Sequence, residues 1–145
     1  MDLTNRKEIA DIIFSKLKVN EDLIKESTLT SIDKIGYFYL DDLLSVDFVK
    51  QLFSIFPKMN ETKLRKNIRE FKYVGYQMDK YHLLLEEIIY AFQDQRIVNF
   101  ISDIFTLNEV YPDPNLYAGG ISIMKKNNFL NPHIDNSHDD NRKRW

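Results

Sequence analysis

The segment Tyr111-Pro-Asp-Pro-Asn115 divides the chain into two kinds of hydrophobic pattern. Before it, apolar residues recur mainly at helical spacing; after it, they follow strand-like runs. Proline fixes φ and lacks an N–H, so two closely spaced prolines mark a turn or a boundary. The expected fold is α+β in a single domain, 1–145: a mainly helical layer over 1–110, then a strand region over 111–145.

On the helical side, Ile9, Ile12, Ile13 and Leu17 form an i, i+3, i+4, i+8 stripe behind a candidate cap at Thr4. Ser45 is placed to cap a second helix with Phe48, Val49, Leu52, Phe53 and Phe56 on its buried face and Pro57 just past its end. Leu83, Leu84, Ile88 and Ala91 make another stripe. Asp94 then caps a helix with Ile97, Val98, Ile101, Ile104 and Phe105 facing inward. Short strands are expected near 35–40 (IGYFYL) and 71–76 (FKYVGY), and the basic stretch KMNETKLRKNIRE between them reads as a surface connection. Beyond the prolines, LYAGGISIMKK and FLNPHID read as strands joined by a hairpin at KNN, because Asn127 and Asn128 tolerate positive φ.

Composition excludes several classes. Ten Phe and eight Tyr in a chain that is 43% hydrophobic argue for a packed core rather than disorder. The formal net charge of −2 offers no global case for nucleic acid or an anionic membrane as partner. With no cysteine there is neither a disulfide frame nor a thiolate site. No apolar stretch is long enough to span a bilayer, and the first residues lack the apolar run of a secretory signal. The expected setting is cytoplasmic, without a membrane partner.

The chemistry gathers in FLNPHIDNSHDD, residues 129–140. Side chains two apart on a strand share a face, so His133 and Asp135 project together with Cα atoms roughly 6.5 Å apart. Imidazole and carboxylate without sulfur suit Fe(II) in a two-histidine, one-carboxylate triad. His138 falls three residues after Asp135, where strand alternation turns it to the other face; it reads as a solvated histidine or one that supports a ligand, and only a loop folding back over NSHDD would make it the third ligand. Asp139 and Asp140 read as exposed loop charges. His82 sits at a helix start and reads as structural. The terminal NRKRW is too short to make a nucleic-acid site.

The stretch YAGGISIMKKNNFLNPHIDNSHDD resembles the opening of the double-stranded β-helix core of 2-oxoglutarate- and Fe(II)-dependent oxygenases, most of all the prolyl-4-hydroxylase-like branch. There too an apolar strand leads through a small-residue turn to an apolar-x-Pro-His-x-Asp strand, here Leu130, Pro132, His133 and Asp135. The resemblance implies an N-terminal helical layer packed on the first strands of a jelly-roll, cupin-like core. It implies Fe(II) held by His133 and Asp135, 2-oxoglutarate as cosubstrate, ascorbate as an accessory reductant, and hydroxylation of a small molecule or a protein side chain. Position 124, where prolyl hydroxylases often carry a tyrosine for the cosubstrate, is Met124. The family's second iron-binding histidine and its basic cosubstrate residue lie well downstream of His-x-Asp. The expectation is therefore a C-terminally truncated chain with an incomplete core, inactive in isolation. A catalytically inactive interaction domain and a cupin-like metal enzyme without 2-oxoglutarate are the alternatives.

Overall fold

A computed structural model describes residues 5–116 and 120–133, and the backbone of residues 138–139 and 142–143. Among these residues the fold is α+β, with five α-helices and a four-stranded antiparallel sheet. The chain divides into two compact units, Met1–Pro57 with Tyr76–Gly120, and Lys58–Gly75 with Ile121–Trp145.

The first unit is helical. Helix α1 (Arg6–Val19) is capped by Asn5, not Thr4: the Asn5 Oδ1 accepts from the Glu8 backbone N–H at 3.0 Å. Glu8 in its first turn and Lys16 and Lys18 in its last complement the helix dipole. Its stripe of Ile9, Ile13 and Leu17 is buried against α2 (Glu21–Ser31), α4 (Leu83–Phe92) and α5 (Gln95–Phe105). Ile24, Leu84, Ala91, Ile97 and Phe100 complete this core. At 1.5–3 kcal/mol for each large side chain removed from water, roughly, this cluster dominates the unit's stability. Among the described residues of the unit, Glu87 is the buried charge. Glu87 accepts from the Arg6 backbone N–H at 2.7 Å and from its guanidinium, which also lies 4.4 Å over the Tyr90 ring.

Helix α3 (Val46–Ser54) begins at Ser45, whose Oγ accepts from Phe48 N at 3.3 Å. Its buried face is narrower than expected. Phe48 is buried and Leu52 and Ile55 pack beside it, an i, i+4, i+7 row. Val49, Phe53 and Phe56 form the adjacent row and are exposed, Phe53 by 82%. An all-apolar arc cannot be split into inner and outer rows from spacing alone.

No strand forms at 35–40. Residues 37–40 form no regular element, with Phe38 and Leu40 packed on the helical core and Tyr37 and Tyr39 exposed. The aromatic content suggested a strand, but among the described residues the segment has no ladder partner, and it turns alternate side chains to the core and to solvent. Ser31 holds it: the Ser31 Oγ accepts from Tyr37 N at 2.8 Å. Gly36 turns the chain at φ +58 just before it. Phe38 stacks on Phe105 at 6.1 Å between ring centroids.

The second unit holds the sheet. Strand β1 (Lys63–Lys66) lies within the stretch expected to be a connection, and it pairs with β2 (Glu70–Gly75) in an antiparallel hairpin, Lys66 opposite Phe71. Asn67 builds the turn: its Oδ1 accepts from Arg69 N at 2.7 Å and from Glu70 N at 3.1 Å. Every β1 side chain is exposed, and its lysines and arginine are what an unshielded sheet edge favours.

Strands β3 (Ile121–Ile123) and β4 (Phe129–Leu130) do not form the expected hairpin. Both pair antiparallel with β2, Ile123 opposite Tyr73 and Phe129 opposite Phe71. They are two pieces of one strand line, with residues 124–128 looped out between them. A turn does form there: Asn127 takes φ 72, Asn128 is not in the left-handed region, and Asn128 N donates to Lys125 O at 2.9 Å. It makes an excursion rather than a reversal. A last small hairpin pairs β5 (His138–Asp139) with β6 (Arg142–Lys143).

Candidate metal centre

The candidate ligands follow β4 directly. Asn131 donates its backbone N–H to Arg69 O at 2.9 Å and its Nδ2 to Ile68 O at 3.1 Å. Those two bonds fasten the chain to the tip of the β1–β2 hairpin immediately before His133. Pro132 cannot donate to a ladder, and among the described residues the expected strand FLNPHID is paired only at Phe129–Leu130, with residues 131–133 outside it.

His133 is exposed, and its Nδ1 lies 2.9 Å from Asn131 O. A carbonyl oxygen only accepts, so this contact requires the proton on Nδ1 and leaves the lone pair on Nε2. Metal-bound imidazoles are commonly held in this way, with the outer nitrogen donating to a backbone carbonyl. His133 therefore fits the part of a nitrogen ligand.

Asp135 lies outside the described residues, as does Asp140. His138 opens β5 opposite Lys143, with only its backbone described. Among the described residues no group of three His, Asp or Glu side chains is placed to hold a metal ion. His133 is thus placed, and no such group of three forms around it among the described residues. His82 is structural as expected: its Nδ1 accepts from Leu84 N at 3.2 Å as the N-cap of α4.

The sequence reading missed the surroundings of this segment. The hairpin that anchors Asn131 carries Lys63, Arg65, Lys66 and Arg69 exposed in quick succession. Arg65 and Lys72 reach Glu70 at 3.3 and 2.9 Å, and the Lys72 hydrogen bond holds the Glu70 carboxyl below the usual carboxylate range. Lys66 Nζ sits 5.0 Å from the Phe71 ring centroid, and Phe71 meets Phe129 edge-on at 6.5 Å. Counting charge by segment would have found this. The unit of Lys58–Gly75 and Ile121–Trp145 holds eleven Lys and Arg against five Asp and Glu, net +6. The other unit holds nine against seventeen, net −8, which conceals the asymmetry in a total of −2.

Comparisons with protein-family models, curated proteins and solved structures return no match to this chain. Among the described residues no helix is long and apolar enough to cross a membrane.

Proposed function

We propose that the segment Leu130–Asp135 is the His-x-Asp part of a non-haem Fe(II) site in a 2-oxoglutarate-dependent oxygenase, with β3 and β4 as opening strands of its double-stranded β-helix core. The observation that carries this reading is His133: exposed, just beyond an anchored strand end, with Nδ1 tied to Asn131 O. Asp135 supplies the carboxylate from the same short segment. Fe(II) bound there would supply oxygen activation coupled to decarboxylation of 2-oxoglutarate, as in the family the motif resembles. The chain's own part is orientation: the two hydrogen bonds from Asn131 to the hairpin tip fix where the imidazole starts, and the Asn131 carbonyl fixes its tautomer. The third facial ligand and the cation for the cosubstrate's distal carboxylate are assigned to no residue of this sequence.

The test is anaerobic titration of Fe(II), with Mn(II) as an electron-spin-resonance surrogate, into the wild type and the His133→Ala, Asp135→Ala and His138→Ala variants. Binding is weak in the wild type, lost in the first two variants and retained in the third. Equal losses for His133→Ala and His138→Ala overturn the ligand assignment.

A second reading, an inactive interaction domain, has its own observation in the exposed row of Val49, Phe53 and Phe56 on α3. Absence of metal binding in the wild type favours it.

A further inference from the structure

The topology collects unpaired cations around the segment that leads to His133. Lys66 stands opposite Phe71 in the hairpin ladder, and Phe71 stands opposite Phe129 in the next. Arg69, at the hairpin tip, accepts through its backbone carbonyl from Asn131. Lys125 and Lys126 lie in the excursion between β3 and β4, which leaves the sheet between the Tyr73 and Phe71 rungs of β2. All four side chains are exposed, and none enters an ion pair among the described residues. Among the described residues, the carboxylate on the hairpin, Glu70, is already engaged by Arg65 and Lys72.

Like charges held close repel unless a counter-charge joins them. Four cations exceed what one carboxylate or a dicarboxylate neutralises. Arginine forks and lysine point charges are the side chains that suit phosphate oxygens. Phe129, 39% exposed beside Phe71, adds an apolar wall next to them.

We propose that the ligand of this cluster is a phosphate-bearing small molecule, and that it is the substrate of the centre at His133. This rests on the metal-site reading above and adds the substrate class to it. Lys66, Arg69, Lys125 and Lys126 hold the phosphates, and the remainder of the molecule extends past Phe129 toward His133.

The experiment titrates inorganic tripolyphosphate into the full 145-residue chain and follows backbone amide shifts. Shifts are expected over Lys66–Arg69 and Lys125–His133, weakening as ionic strength rises. The double variants Lys66→Glu/Arg69→Glu and Lys125→Glu/Lys126→Glu each weaken binding at least about tenfold, because each reverses two charge-assisted contacts. Lys16→Glu/Lys50→Glu, on the helical unit, leaves it unchanged, and far-ultraviolet circular dichroism confirms that all variants are folded. His133→Ala keeps tripolyphosphate binding while losing Mn(II), which separates the two claims.

Several results overturn the inference. Absence of localised shifts does so, and so do shifts indifferent to both double variants. Succinate binding as tightly as tripolyphosphate makes the cluster a dicarboxylate subsite. Oligothymidylate binding that tightens with strand length makes it a nucleic-acid face. Tripolyphosphate binding in a protein that takes no Mn(II) removes the centre whose substrate this would be.

Discussion

Glu87→Gln removes the charge from the buried end of the Arg6–Glu87 pair with almost no change of shape. Glu87 is 7% exposed, and its carboxylate accepts from the Arg6 backbone N–H at 2.7 Å and from Nε at 3.0 Å, with Nη2 also bonded. An amide keeps one acceptor oxygen but turns an NH2 group toward the guanidinium. The substitution therefore loses at least one charge-assisted bond and leaves a donor facing a donor. Complete burial of both partners would put the cost at about 3–5 kcal/mol. The Arg6 side chain is 51% exposed, so water recovers part of the loss on its side. A cost of about 2–3 kcal/mol follows, equivalent to roughly 6–12 °C in Tm for a chain of this size. Urea unfolding followed by circular dichroism measures it directly.

The pH dependence supplies a second check. Arg6 holds the Glu87 carboxyl below its ordinary value, chiefly through the side-chain hydrogen bond. A depressed carboxylate contributes stability that is complete above its unfolded pKa of about 4.3 and is lost as pH falls through the folded value. The gap between wild type and Glu87→Gln is therefore constant near neutrality and closes under acid. A cost below about 0.5 kcal/mol at neutral pH, the level of an exposed pair, would refute the reasoning.

Three further outcomes are expected. Glu21, bonded by Lys18 and Lys25, titrates at about 2 in a carbon-detected NMR titration, and Lys18→Ala or Lys25→Ala moves it back toward the ordinary range. Gly36→Ala destabilises by about 1–2 kcal/mol in urea unfolding, since a Cβ there meets Ile32 Cδ1 at 3.1 Å on a residue with φ +58. His82→Asp keeps the α4 cap and His82→Ala costs about 1 kcal/mol by the same measurement.

How much of this was legible follows from what each pattern encodes. Ser45 and Asp94 were found as caps because a short oxygen-bearing side chain before an apolar run has a single strong structural meaning. Helix α2 was missed because its buried positions, Ile24, Thr28 and Ser31, are two-thirds polar and make no apolar stripe. The strand β1 was missed for a related reason: an exposed edge strand of KLRK carries no alternation, and only its partner β2 betrays it. At 35–40 the aromatic run suggested a strand, but side-chain composition says nothing about whether a neighbouring strand is there to pair with it.

The same distinction governs the site. The motif pointed to His133 and Asp135 as candidates, and spacing along the chain was enough to propose them. It was silent on what holds His133, because the anchor is Asn131 reaching across to the carbonyls of Ile68 and Arg69, more than sixty residues earlier. Once that anchor is drawn, the basic hairpin and the candidate ligand belong to one piece of structure. Replacing Asn131 by Ala removes the side-chain bond to Ile68 O and leaves the backbone bond to Arg69 O in place. The tip then loosens without losing its cations. Mn(II) affinity in the Asn131→Ala protein should fall severalfold, within the range seen when a ligand's supporting contacts are removed. Tripolyphosphate affinity should fall much less, because the cations stay on the hairpin and the looped-out segment. A variant that binds Mn(II) as well as the wild type would show that Asn131 supports only the sheet, and that the position of His133 is set elsewhere.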